Sequence, residues 1–194
     1  MTAGRRSVAR HTVLVGLMGA GKTSVGRRLA GSTVPFVDTD SVIEQREGRS
    51  VRDIFATDGE PAFRILEEEA VAGSLAEDAP SVIATGGGAM ESTATRELVN
   101  RARAGGRVFV VWLRAEPGEL ASRVGGSTHR PLLDADAEGR LTELAAARAA
   151  NYSAVADLVV DTDGLSPAEV AERVRAAVRG TGQDGADGTE RVDE

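Results

Sequence analysis

The chain has 194 residues, a formal net charge of -7 and a pI of about 5.0, which is length for one domain and the wrong sign for a broad nucleic-acid footprint. It contains no cysteine, which excludes disulfides, zinc-thiolate sites and a thiol nucleophile. Hydrophobic residues at 41% suffice for a core, but aromatics at 3% mean that Val, Leu, Ile and Ala must build it.

Residues 1–11 read as a disordered basic lead-in with Arg5, Arg6 and Arg10. The following Thr12-Val13-Leu14-Val15 reads as a buried strand rather than a secretory signal, because the apolar stretch is short, glycine-rich and runs straight into Lys22. Thr23 to Ala30 predicts a helix, with Val25 and Leu29 four apart on one face. Pro35-Phe36-Val37 leads a second strand to Asp38. Helices are expected at roughly 40–47, 50–56 and 60–77, the last with Asp58 as N-cap and Pro61 in its first turn. Ser81-Val82-Ile83-Ala84 is a third strand, followed by Thr85-Gly86-Gly87-Gly88 and a helix over about 92–103. Val108 to Leu113 is a fully apolar fourth strand, placed centrally. Pro117 to Val124 is helical, Gly125 to Gly139 loop-like, and Leu141 to Ser153 helical again. Leu158-Val159-Val160 makes the fifth strand. Ser166-Pro167-Ala168-Glu169 is a capping box that opens a final helix to about Val178. Gly180 to Glu194 reads as a disordered acidic tail. Five β-α alternations with apolar strands imply a parallel sheet covered on both faces. No apolar run approaches the ~20 residues that span a bilayer, so the cytoplasm is the default location.

One residue stands apart in this composition. The chain has one lysine, Lys22, against 22 arginines. It lies in Gly16-Leu17-Met18-Gly19-Ala20-Gly21-Lys22-Thr23, which fits the phosphate-cradling pattern G-x-x-x-x-G-K-[ST] between a strand and a helix. The glycines let backbone N–H groups turn onto phosphate oxygens, and the helix N-terminus adds positive potential. An ammonium is a compact point charge, whereas a guanidinium is a wide fork, so a close-wrapped loop admits the first and not the second. Thr23 offers a hydroxyl to Mg²⁺.

Asp38-Thr39-Asp40 ends the second strand, where ligands of parallel sheets gather. Asp38 is read as a Mg²⁺ ligand opposite Thr23, directly or through water. Asp40 is read either as the acceptor of a hydrogen bond from an attacking hydroxyl or as a plain helix N-cap. Gly86-Gly87-Gly88 either exposes backbone to a ligand or makes a flexible turn. Composition does not select among the arginines, including Arg64, Arg123, Arg130 and Arg148. His11 and His129 read as surface residues, Trp112 and Tyr152 as packing, and Glu67-Glu68-Glu69 mostly as a solvated helix face.

Taken together, the segments resemble the shikimate kinase family from Thr12 to about Val178. The family's pattern stands as Gly16 to Thr23, Asp38-Thr39-Asp40, Asp58-Gly59-Glu60 followed by Phe63-Arg64, Gly86-Gly87-Gly88, Arg130-Pro131-Leu132-Leu133, and Arg148 before Tyr152. The resemblance implies a P-loop kinase of the nucleoside-monophosphate-kinase type. Its five-stranded parallel sheet would run in the order 2-3-1-4-5, with helices on both faces and a mobile lid over about 124–139. The domain would span 12–179, with a substrate-binding region over about 40–70. Its reaction would be ATP plus shikimate to shikimate 3-phosphate and ADP, with Mg²⁺. Gly19, Ala20, Gly21, Lys22, Thr23 and Ser24 would hold the phosphates, while Arg123 and Pro167 would sandwich adenine. Arg64 and Arg148 would clamp the shikimate carboxylate, with Glu67 orienting Arg64. Asp40 would orient the 3-hydroxyl, and Gly86, Gly87 and Gly88 would line the same pocket. Arg130 would reach the transferred phosphoryl group, so that Lys22, Asp40 and Arg130 form the catalytic set. A monomer is expected, without nucleic-acid or membrane partners. Two rivals are a P-loop kinase for another hydroxy acid such as gluconate and a non-catalytic nucleotide-binding module.

Overall fold

The structure is a computed structural model and describes residues 11–124 and 137–183. In chain order the strands are β1 (His11–Val15), β2 (Phe36–Asp38), β3 (Ser81–Ala84), β4 (Val108–Arg114) and β5 (Leu158–Asp161). The helices are α1 (Lys22–Ala30), α2 (Thr39–Glu47), α3 (Val51–Thr57), α4 (Gly59–Ala76), α5 (Thr93–Ala104), α6 (Pro117–Val124), α7 (Ala137–Val155) and α8 (Pro167–Gln183), with a 3₁₀ turn at Ala89–Glu91. The sheet order is β2-β3-β1-β4-β5 and each pairing is parallel. A strand covered on both faces has no polar side to show, and Val13, Leu14 and Val15 of the middle strand β1 are fully buried. Val110, Val111 and Leu113 of the adjacent β4 are buried as completely.

Register decides where the site forms. Leu14 of β1 pairs with Ala84 of β3, and Ala84 pairs with Asp38 of β2. The segments that follow these three strands therefore leave the sheet at one level. The backbone N–H of Thr85 donates to the carbonyl of Leu14 at 3.1 Å, which keeps the strand ends together.

Two apolar clusters hold these elements. The larger surrounds the sheet and includes Val25, Val71, Val99, Leu120, Leu141, Tyr152, Val155 and Val174. The smaller comprises Ile43, Ile54, Phe63 and Ala70 and joins α2, α3 and α4, with the rings of Phe55 and Phe63 4.5 Å apart.

Several sequence expectations need correction. His11 is not a surface residue. It opens β1, is 1% exposed, and its Nε2 donates to the carbonyl of Glu77 at 3.1 Å. In the neutral ring that leaves Nδ1 to accept from the Ser81 hydroxyl at 2.7 Å. Asp58 stands at the cap position of α4 but makes no side-chain cap bond, because its carboxylate accepts from Arg49 Nη2 at 2.6 Å. α7 begins at Ala137, so Gly139 is helical rather than the end of a loop, and α8 runs through Gly180 to Gln183. Glu67 is 2% exposed, not part of a solvated face. The capping box at α8 is present: the Ser166 hydroxyl accepts from Glu169 N at 3.3 Å, and Glu169 Oε2 accepts from Ser166 N at 2.8 Å.

Candidate active site

The loop between β1 and α1 is shaped by its glycines. Gly16, Gly19 and Gly21 have φ of 138°, 82° and 91°, values that residues with a Cβ rarely adopt. A Cβ on Gly16 would overlap the carbonyl of Leu113 in β4, so the loop leaves the sheet in close backbone contact. Gly21 precedes α1 and offers no capping side chain, which makes the first-turn amides a site for an anion. The Lys22 ammonium donates to the carbonyls of Gly16 at 2.6 Å and Leu17 at 2.9 Å, spanning the loop from inside. Ala20 is buried, with its N–H bonded to the Leu17 carbonyl, and Ser24 is exposed on the first turn of α1.

The Thr23 hydroxyl donates to Asp38 Oδ2 at 2.9 Å. A hydroxyl and a carboxylate so close at a phosphate loop form a hard oxygen donor set. It fits Mg²⁺, which takes one or two protein oxygens and completes its shell with water and phosphate. Among the described residues no cluster of three or more acidic, His or Cys groups offers a fuller cage. Asp38 is also the N-cap of α2, since its Oδ1 accepts from Asp40 N at 3.2 Å. The capping task is thus met by Asp38 and not by Asp40. Asp40 turns towards the glycine loop, where a Cβ on Gly86 would lie 2.8 Å from its Oδ1.

The glycine loop is where three elements converge. Gly86 N donates to the buried Thr39 hydroxyl at 3.0 Å, tying β3 to α2. A Cβ on Gly86 would overlap Glu67, and one on Gly88 would overlap the Arg64 guanidinium. Gly87 offers its carbonyl to Arg148 Nη1 at 3.4 Å and to the Tyr152 hydroxyl, so α7 is pinned to the loop as well. Burial pushes the Tyr152 phenol up, which keeps it a neutral donor.

Arg64 and Arg148 come from α4 and α7 and meet at this loop. Arg64 Nη1 donates to Glu67 Oε2 at 2.7 Å, and its Nη2 to Glu60 Oε1 at 2.6 Å and Glu91 Oε2 at 3.0 Å. Arg148 Nη2 donates to the same Glu91 oxygen at 2.8 Å. Arg148 is 8% exposed, and its buried Nε has no acceptor among the described residues. Burial pushes the Glu67 carboxyl up to about 6, against the pull of the Arg64 guanidinium, while the nearby Asp40 charge adds to the rise.

At the other end of the loop, Arg123 of α6 donates to the Thr162 carbonyl at 2.9 Å and hydroxyl at 3.0 Å, and reaches the Gly19 carbonyl at 3.5 Å. Pro167 opens α8 a few residues beyond Thr162. Arg130 lies outside the described residues. So does the expected lid, apart from Val124 in α6 and Ala137 to Gly139 in α7.

The sequence reading had no signal for Glu91, Glu60 or Thr162. Glu91 and Thr162 belong to no motif and reach the arginines only through packing, while Glu60 stands in the Asp58-Gly59-Glu60 segment one turn before Arg64 in α4, where no role was read for it.

The family model described as shikimate kinase matches residues 18–179. A shikimate kinase of Symbiobacterium thermophilum is 46% identical over 179 residues, covering 90% of this chain and 99% of its own. One of Thermobifida fusca is 47% identical over 163 residues, covering 84% of this chain and 91% of its own. Among solved structures, the shikimate kinase from Acinetobacter baumannii in complex with shikimate superposes with a TM-score of 0.83 at 30% identity. That match covers 90% of this chain and 96% of the other.

Proposed function

The chain belongs to the shikimate kinase family and phosphorylates shikimate with ATP, and we propose that it does so with two half-sites that meet at the P-loop. In the nucleotide half, the amides of Gly19 to Ser24 and the Lys22 ammonium hold the β- and γ-phosphates, and Arg123 with the start of α8 at Pro167 flanks the adenine. Thr23 and Asp38 would hold Mg²⁺, which when bound neutralises charge on the phosphate oxygens.

In the acceptor half, Arg64 and Arg148 grip the shikimate carboxylate as planar forks. The single observation that carries this reading is that both guanidinium groups already converge on one carboxylate oxygen, that of Glu91, beside Asp40 and Gly86 to Gly88. A substrate carboxylate held there presents its ring hydroxyls to Asp40. Asp40 accepts the hydrogen bond of the 3-hydroxyl and takes its proton as the oxygen–phosphorus bond forms and the bond to ADP breaks. The transition state of such transfers is loose, so positioning and charge neutralisation outweigh base strength.

The reading includes a monomer acting in the cytoplasm, with shikimate as partner and neither nucleic acid nor membrane. The net charge of -7 speaks against nucleic acid, and no described helix is long and apolar enough to cross a membrane.

A coupled ADP-release assay over a panel of hydroxy acids tests the substrate, with gluconate as the rival: turnover should be confined to shikimate. Asp40→Asn should keep ATP binding and lose about 10²–10⁴-fold in kcat. A kcat within about threefold of wild type would leave Asp40 without the proposed role.

A further inference from the structure

Glu91 ends the 3₁₀ turn that follows the three glycines. Its Oε2 bridges Arg64 Nη2 and Arg148 Nη2, at 3.0 and 2.8 Å. We propose that Glu91 is an internal ligand of the arginine pair, which the substrate carboxylate must displace in order to bind. The inference rests on reading Arg64 and Arg148 as the carboxylate clamp.

A count of donors carries the first step. A guanidinium Nη2 has two hydrogens. Those of Arg64 are committed to Glu60 Oε1 and Glu91 Oε2, while Nη1 already serves Glu67. A substrate carboxylate that takes an Nη2 hydrogen of Arg64 has to take it from Glu60 or Glu91, and one that lies between the two arginines takes the place of Glu91. Charge carries the second step. Two guanidinium groups stand here among the carboxylates of Glu60, Glu67, Glu91 and Asp40. A further carboxylate on the same hydrogens would repel Glu91, so both do not stay.

Exposure then selects which carboxylate gives way. The Glu67 side chain is 3% exposed and wedged under Gly86, whereas that of Glu91 is 38% exposed and can turn into solvent. Glu60 is more exposed still, but it touches only Arg64 of the pair. Among the described residues, Glu91 is the one carboxylate that bonds both arginines and is exposed enough to leave.

The size of the effect follows from population arithmetic. Apparent affinity falls by the fraction of molecules whose binding groups are available. Two partly exposed ion contacts keep that fraction near about one in ten, so Glu91 weakens shikimate binding about tenfold.

The test is calorimetric titration of the full chain with shikimate and with its neutral carboxamide, for wild type, Glu91→Gln, Glu91→Asp and Arg148→Ala. Glu91→Gln should bind shikimate about tenfold more tightly, with kcat/KM for shikimate rising by a similar factor. Its affinity for the carboxamide should rise by much less, because a neutral carbonyl needs the same hydrogens but is not repelled by the Glu91 charge. A spacer that merely kept the arginines apart would give the opposite sign. Unchanged or weaker shikimate binding by Glu91→Gln would therefore overturn the proposal. If Glu91→Gln melts well below wild type, Glu91→Asp decides: it keeps the charge but falls short of one arginine, and should bind shikimate more tightly, with weaker binding counting against the idea. Arg148→Ala separates this proposal from its premise. Wild-type shikimate affinity in that variant would remove the clamp itself, whereas lost affinity there without a gain in Glu91→Gln would remove only the role of Glu91.

Discussion

Lys22 spans its own loop through two carbonyls at 2.6 and 2.9 Å, a space that suits a compact ammonium. Lys22→Arg should bring turnover close to that of Lys22→Ala, because the wider fork does not fit between those carbonyls and the phosphates. Steady-state kcat measures this, and an Arg variant near wild type would remove the explanation for the lone lysine. Glu67 gives a pH signature. Burial holds its carboxyl at about 6 in the folded chain against an ordinary value of 4.5. Between those values the folded state binds more protons than the unfolded one, so stability falls as pH rises through the window. About one unit above pH 6 the charged form is fully established and the cost is about 2 kcal/mol. Thermal melts should therefore show wild type losing stability from about pH 4.5 to 6.5, with a flatter profile in Glu67→Gln. Function should move the other way. Below about pH 6 the protonated Glu67 releases its ion pair with Arg64, so the shikimate KM of wild type should rise and that of Glu67→Gln should stay level. The same KM inflection in both proteins would uncouple Glu67 from the clamp. Lys22 and Thr23 were legible because a spacing rule names them, and Asp38 because it ends a strand opposite Thr23, whose hydroxyl donates to it. The burial of Glu67 was not, because three consecutive glutamates look solvated until the glycine loop is seen to cover the first.

The three glycines after β3 work as one element, yet they tolerate change differently. A Cβ on Gly88 would meet the end of the Arg64 side chain, which can shift aside. One on Gly86 would meet Glu67 and Asp40, two carboxylates held by burial and by α2. Gly88→Ala should therefore keep a near-wild-type melting temperature while raising the shikimate KM about tenfold or more, as Arg64 loses its place. Gly86→Ala should lose about 1–3 kcal/mol of stability besides. Melts and the KM values of both substrates distinguish the two, and an equal loss of ATP affinity would mean that the loop serves the other half-site. The strands were read well because period and burial agree: β3 has the predicted bounds, as does α6. The errors lie at helix ends that contain glycine. Gly139 and Gly180 each cost roughly 1 kcal/mol in a helix, so both were read as breakers. In α7 the buried Leu141 anchors the first turns, and local propensity is overridden by packing.

At the scale of the molecule, the nucleotide half-site stands on the sheet core, while the acceptor half-site is divided between that core and the small one. The P-loop, Arg123 and Arg148 are carried by elements packed around the sheet, while Asp40 and Arg64 are carried by α2 and α4 over the small cluster of Ile43, Ile54, Phe63 and Ala70. The sheet order was expected from family resemblance, but the separate footing of the acceptor residues was not legible. Short helices over 39–76 give no sign of which apolar residues face the sheet and which face one another. The smaller core makes the acceptor side the weaker of the two, since fewer buried contacts mean easier local opening. Ile54 is fully buried at its centre, so Ile54→Ala removes about 2–5 kcal/mol where little is available. Amides of α2, α3 and α4 should then exchange faster, while those of β1, β4 and α1 keep their protection. Shikimate affinity should fall, because Arg64 and Asp40 no longer hold their positions, and ATP affinity should remain. Val110→Ala, an equally buried change in β4, should instead lower protection throughout and weaken both ligands together. If Ile54→Ala exchanges uniformly faster across the sheet and loses both affinities in step, the chain is a single cooperative unit and Asp40 and Arg64 do not rest on a separate core.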